Sequence, residues 1–162
     1  MTTTLNLISE DDTRRLGSLL VSHARPGLCI LLDGPVGAGK TFLARHIIQE
    51  LLASCGQRDD VPSPTFTIVQ TYDAGPLEVW HADLYRLTST NELAELGLDI
   101  AFDTAFCLIE WPDRLGAATP PALTVTLSYA DATSARYVDL SGTTPHHADL
   151  AKTVAKVFSD DD

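Results

Sequence analysis

The chain has 162 residues, enough for one domain, and its 44% hydrophobic and 20% charged content excludes a disordered or low-complexity polymer. Asp and Glu outnumber Lys and Arg by 22 to 11, a formal net charge of −11; nucleic-acid binding draws on basic residues that displace phosphate counterions, so strong direct binding of such a polyanion by this chain alone is not expected and a basic protein partner fits better. No apolar run approaches the ~20 residues of a membrane helix, and Met1 to Asn6 shows no basic region leading into an apolar core, which predicts a cytoplasmic protein without membrane contact.

In chain order, residues 1–8 read as a flexible terminus. Ser9 followed by Glu10, Asp11 and Asp12 predicts a helix start with a capping serine, and Leu16, Leu19 and Leu20 form its apolar face. Leu28 to Leu32 is unbroken apolar sequence, as in a strand buried on both faces. Gly34-Pro35-Val36-Gly37-Ala38-Gly39-Lys40-Thr41 follows, and residues 41–53 then carry Leu43, Ile47, Ile48, Leu51 and Leu52 at helical spacing. Val61 to Thr67, with two prolines and three hydroxyls, predicts a shaped loop entering a strand over residues 66–72. Asp73 to Pro76 turns the chain into a second strand from Leu77 to His81, a hairpin.

Ser89 and Glu92 stand at capping-box spacing before a short helix closed by Gly97. Ala105 to Ile109 is a second wholly apolar run, expected next to the first in the sheet core and ending at Glu110. Residues 123–129 alternate as a half-buried strand, Asp131 to Ser134 turn the chain, and residues 136–140 return. Thr144-Pro145 opens a last helix reaching about Phe158, with His146 and His147 read as surface residues and 159–162 as a flexible tail. Cys29, Cys55 and Cys107 are odd in number and form no C-x-x-C pair, so neither a disulfide framework nor a zinc site is indicated. The whole predicts a single α/β domain of phosphate-loop NTPase type, a mixed sheet flanked by helices.

Gly34 to Thr41 fits G-x-x-x-x-G-K-[ST] at every specified position, between a predicted strand and a predicted helix. Glycines let backbone N–H groups curl inward around phosphate oxygens, and the helix N-terminus adds its partial positive charge. Lys40 is placed for the β- and γ-phosphates and the Thr41 hydroxyl for Mg²⁺, which predicts ATP and Mg²⁺ as ligands. Such a site needs an acid at the end of a neighbouring strand, and both Asp83 and Glu110 qualify. Thr65 and Thr67 suit either a segment that senses the γ-phosphate or a bland loop. Trp111 suits either a stacking role or a core position.

Gly34-x-x-Gly37-Ala38-Gly39-Lys40-Thr41, Ser63-Pro64-Thr65-Phe66-Thr67, His81 to Leu87, Glu92 with Gly97, and Ile109-Glu110-Trp111-Pro112 occur in this order. Together they resemble the TsaE family of bacterial tRNA threonylcarbamoyladenosine biosynthesis, over roughly residues 9 to 140. The resemblance implies slow ATP hydrolysis alongside two partner proteins, TsaB and TsaD, which with it attach threonylcarbamoyl to adenosine in tRNA. It implies Thr41 and Glu110 as Mg²⁺ ligands, Asp83 as a catalytic or metal-organising acid, and Lys40 as catalytic. It brings Glu10 and Thr13 to the adenine and Arg136 to the nucleotide. The implied nucleotide site is Glu10, Thr13, Gly34, Val36, Gly37, Ala38, Gly39, Lys40, Thr41, Phe42, Thr65, Thr67, Trp111 and Arg136. Phe42 and Phe66 depart from the family's commoner hydroxyl and tyrosine. Two alternatives stand beside this reading. A small-molecule kinase would bring an arginine-rich lid, and the chain offers only scattered arginines. A guanine-reading switch would bring an N-K-x-D stretch, which is absent.

Overall fold

In the computed structural model, which describes residues 2–58, 60–64, 67–130 and 135–160, the two apolar runs pair as central parallel strands, Cys29 opposite Cys107 and Leu32 opposite Glu110. The elements run β1 (Thr3–Leu7), α1 (Glu10–Val21), β2 (Cys29–Asp33), α2 (Lys40–Ser54), β3 (Val69–Ala74), β4 (Leu77–Asp83), α3 (Asn91–Leu96), α4 (Leu98–Thr104), β5 (Phe106–Glu110), a 3-10 helix (Pro112–Ala118), β6 (Leu123–Tyr129), β7 (Arg136–Gly142) and α5 (Pro145–Asp160). The strands form a sheet in the order β1-β7-β6-β2-β5-β4-β3. Its four central strands are parallel, and the outer pairs β1–β7, β7–β6 and β4–β3 are antiparallel. This is the α/β mixed sheet expected from the sequence.

Helices cover both faces, which is why β2 and β5 carry no polar alternation before their last residues. On one face α1, α2 and α5 bury Leu16, Leu20, Leu43, Ile47, Val154 and Phe158 against Ile30, Leu32, Leu108 and Val125. On the other, α3, α4 and the 3-10 helix bury Leu93, Leu98 and Leu115 against Leu31, Cys107 and Ile109. Cys29, Cys55 and Cys107 are unbridged thiols. Burial pushes Cys29 well up and Cys107 up to about 12, so both behave as core side chains. Among the described residues no helix is long and apolar enough to cross a membrane.

Several local expectations are corrected. Residues 3–7 are not a loose terminus: they pair with β7 from Thr3 opposite Leu140 to Leu7 opposite Arg136. The Ser9 side chain makes no capping bond. The Asp12 carboxylate instead accepts from the Ile8 amide at 2.9 Å, and the Ser9 carbonyl starts the helix. The second capping box is displaced by one residue, Glu92 accepting from the amide and hydroxyl of Thr88. The hairpin's first strand starts at Val69, after Ile68 in the left-handed region at φ 67°; Thr65 and Phe66 lie outside the described residues, as does the expected turn at 131–134. α4 and the 3-10 helix were not expected. His147 is buried, hydrogen bonded through Nδ1 to the Thr144 hydroxyl at 2.6 Å.

Candidate functional site

The site is built where β2, β4 and β5 end against the start of α2. Because strand side chains alternate, one face of β4 presents Val79, His81 and Asp83, and the same face of β5 presents Phe106, Leu108 and Glu110. The register places Asp83 directly opposite Glu110. Apart from His81, apolar residues fill the inner positions of this face, so the two acids emerge only at the strand ends, next to α2.

The loop leaves β2 through Gly34, whose φ of 135° suits glycine; a Cβ there would come within 2.3 Å of the Leu127 carbonyl oxygen. Asp33 Oδ1 accepts the Gly34 amide at 2.8 Å, and Gly39, also left-handed, caps α2. Lys40 is the first residue of α2 and is only 5% exposed. Its ammonium donates to the carbonyls of Gly34 at 2.6 Å and Pro35 at 2.9 Å, and lies 4.1 Å from the centroid of the Trp111 ring. Burial pushes the Lys40 pKa below the usual lysine range, against the opposite pull of the Glu110, Asp33 and Asp83 carboxylates.

Glu110 is the centre of a buried chain of polar groups. The Thr41 hydroxyl donates to its Oε1 at 2.7 Å, and its Oε2 lies 2.6 Å from His81 Nε2. Glu110 is 1% exposed and His81 fully buried. Among the described residues His81 Nδ1 has no hydrogen-bond partner, which fits an imidazole carrying its proton on Nε2 and donating it to the carboxylate. Asp83 Oδ1 accepts the Tyr85 amide at 3.0 Å.

Trp111, directly after Glu110, sits in the left-handed region at φ 58° and ψ 54°. For a residue with a Cβ this costs about 1–2 kcal/mol. The turn carries the indole over Lys40 and against Tyr85, ring centroids 4.9 Å apart. The result is a cavity of about 340 Å³, within the range of small-molecule sites, lined by Val36, Gly37, Gly39, Lys40, Thr41, Asp83, Tyr85, Glu110 and Trp111.

Of the residues singled out from sequence, the structure brings eight to this wall: Val36, Gly37, Gly39, Lys40, Thr41, Asp83, Glu110 and Trp111. Gly34 and Ala38 belong to the loop but do not line the cavity. Phe42 faces α1, with the Arg14 guanidinium 5.2 Å from its ring centroid. Glu10 and Thr13 are not brought to the cavity wall; Glu10 pairs with Arg14 at 3.5 Å, and Thr13 is buried at the base of α1. The Thr67 hydroxyl accepts from Gln70 at 2.9 Å, and Thr65 lies outside the described residues. Arg136, which the resemblance brings to the nucleotide, reaches the carbonyls of Gly37 and Ala38 and does not line the cavity. Sequence reasoning missed His81 and Tyr85 as members of the site. For His81 a signal existed: it stands two residues before Asp83, and period-two alternation puts both on one face.

Comparisons with known proteins identify the family. A model of the family described as threonylcarbamoyl adenosine biosynthesis protein TsaE matches residues 7–138, from the end of β1 into β7. The tRNA threonylcarbamoyladenosine biosynthesis protein TsaE of Rickettsia conorii is 42% identical over 129 residues, 79% of this chain and 71% of that protein. The protein of the same name from Haemophilus influenzae is 35% identical over 143 residues, 87% of this chain and 84% of its own length. The crystal structure of Bacillus subtilis YdiB has the same fold, with a TM-score of 0.76 at 23% identity over 96% of this chain and 95% of that one. The family match, carrying the glycine loop and both strand-end acids with it, places this chain in the TsaE family of tRNA threonylcarbamoyladenosine biosynthesis.

Proposed function

We propose that the chain binds Mg–ATP at the Gly34–Thr41 loop and hydrolyses it in the cytoplasm as an accessory step of tRNA threonylcarbamoylation, acting with TsaB and TsaD proteins. The observation that carries this reading is the carboxylate of Glu110, held by the Thr41 hydroxyl at 2.7 Å and by His81 behind it. A helix-start hydroxyl joined to a strand-end acid beside a buried lysine is the residue set that Mg–nucleotide chemistry requires.

The donor set fits the metal. Thr41, Glu110 and Asp83 offer hard oxygens, and among the described residues no group of three or more His, Cys, Asp or Glu forms a cage of its own. Magnesium is commonly held by one or two carboxylates with phosphate and water completing the shell. Thr41 and Glu110 would hold it, and when bound it would neutralise charge building on the β- and γ-phosphate oxygens. The chain's own residues do the rest. Lys40 exchanges two loop carbonyls for phosphate oxygens, a swap favoured by charge because an ammonium binds an anion more strongly than a neutral carbonyl. Gly37 and Gly39 bring backbone close to the phosphates. Asp83, beside Glu110 on the parallel strand, is placed to orient the attacking water. Trp111 and Tyr85, packed ring to ring, give the cavity an aromatic wall.

The test uses γ-labelled ATP with the protein alone and with purified TsaB and TsaD. The expected result is slow phosphate release that the partners accelerate, with no label transferred to a metabolite. Release that ignores both partners, with label appearing on a small molecule, would replace this reading with a kinase. The −11 charge adds a second expectation: the isolated chain should not retain tRNA at ordinary salt.

A further inference from the structure

Three consecutive carbonyls of the glycine loop are gripped from outside by one cross-strand pair. Tyr129 is the last residue of β6 and Arg136 the first of β7, and the two stand opposite each other in the antiparallel register. The Tyr129 hydroxyl donates to the Val36 carbonyl. Arg136 donates from Nη2 to the Gly37 carbonyl at 3.3 Å and from Nε to the Ala38 carbonyl at 3.1 Å. The pair is braced: the guanidinium lies 4.9 Å from the Tyr129 ring centroid, and Nη1 donates to its neighbour's carbonyl, Ala135, at 2.8 Å.

A peptide unit is planar, with C=O and N–H on opposite sides, so fixing one carbonyl fixes where the next amide points. Holding the carbonyls of Val36, Gly37 and Ala38 therefore turns the amides of Gly37, Ala38 and Gly39 away from the hairpin. The Ala38 amide is used inside the loop, donating to Pro35 at 3.1 Å, and Ala38 is buried away from the cavity wall. Gly37 and Gly39 do line the cavity. The loop's sequence accommodates the grip as well: at Gly37, φ 78°, a Cβ would come within 2.9 Å of the Tyr129 hydroxyl oxygen.

We propose that Tyr129 and Arg136 are positioning residues that clamp the loop's outer carbonyls and so aim the Gly37 and Gly39 amides at the phosphoanhydride of a bound nucleotide. This rests on the reading of the loop as a nucleotide site. It differs from a direct contact between Arg136 and phosphate, because the guanidinium acts through the backbone. Tyr129 then belongs to the same device, although it does not line the cavity.

The test compares the full chain with Tyr129→Phe, Arg136→Gln and Arg136→Lys, using amide hydrogen exchange by NMR and ADP titration by calorimetry. In Arg136→Gln the Ala38 amide should exchange about tenfold faster and ADP should bind about tenfold more weakly, the scale of one lost charged hydrogen bond. Arg136→Lys should recover part of both effects. Tyr129→Phe removes only a hydroxyl, carries the test if Arg136→Gln fails to fold, and should move both readouts in the same direction. Weaker ADP binding with unchanged Ala38 exchange would make Arg136 a direct phosphate ligand and overturn the clamp, as would unchanged values of both. Faster Ala38 exchange in a protein whose wild type binds no ADP would support the clamp and overturn the proposed function.

Discussion

The Glu110 carboxylate and the His81 imidazole meet at 2.6 Å, in a place the solvent does not reach. An ionised carboxylate there is tolerable only with its oxygens hydrogen bonded, and the two partners that do so stand on opposite sides of it. Thr41 approaches from α2 and His81 from β4, so the acid is held in position before any ligand arrives. Replacing His81 with leucine leaves Oε2 buried and unmatched. The expected cost is about 1–3 kcal/mol, more if the carboxylate stays charged, measured as a lower urea midpoint at an unchanged slope. A variant as stable as wild type would remove His81 as the partner that holds the acid.

On the proposed function, the two acids should separate binding from turnover. Glu110→Gln and Asp83→Asn keep side-chain shape and should hold ADP within about threefold of wild type while phosphate release falls about a hundredfold or more. Wild-type release from either variant removes that acid from the mechanism.

Trp111 should report on the site. It lies 4.1 Å from the Lys40 ammonium, and the chain's other tryptophan, Trp80, is on β4. In a Trp80→Phe background, ADP should change Trp111 emission saturably as Lys40 moves to phosphate. Adding Lys40→Ala should abolish that change and nucleotide binding, with the far-UV spectrum intact.

Gly34 admits no side chain. An added Cβ would stand 2.3 Å from the Leu127 carbonyl oxygen, which is backbone of the neighbouring strand and cannot swing aside. Gly34→Ala should cost about 3 kcal/mol or more, seen as a large drop in denaturation midpoint or as insoluble expression.

His147 should make the protein acid-sensitive. Burial, aided by His146 and Arg25, holds its pKa below the usual 6.5. The folded protein then binds a proton less readily than the unfolded chain. The effect is absent above 6.5, grows as pH falls through 6.5 towards the lower folded value, and levels off beneath it. His147→Asn should show a smaller fall in melting temperature than wild type between about pH 7.5 and about pH 5. Equal falls would assign the sensitivity to other groups.

The fold was legible wherever a residue's burial was imposed by its own segment. Leu28 to Leu32 and Ala105 to Ile109 have nowhere to go but a doubly covered sheet, and the strand over 123–129 has the observed bounds because alternation is a local property. Residues 3–7 also alternate, but five residues are too few to separate an edge strand from a tail. Pairing with β7, at the far end of the sequence, decides it. The site divides in the same way. Gly34 to Thr41 was readable because one turn of backbone contains its chemistry. Asp83 and Glu110 were readable as strand-end acids, whereas the partnership of Glu110 with His81 depends on the β4–β5 register. The Tyr129–Arg136 grip depends on a hairpin folding back over a loop about a hundred residues earlier, a contact that no local pattern encodes.

The sheet order has a consequence for how the molecule comes into being. β2, which delivers the glycine loop, is flanked by β5 and β6, both distant from it in sequence. Pairings of such long range close large loops of chain, and that entropy must be met before the contacts reward it. During synthesis the loop therefore emerges early and stays unsupported until most of the chain has followed. Folding should be slow, with a rate governed by sheet closure.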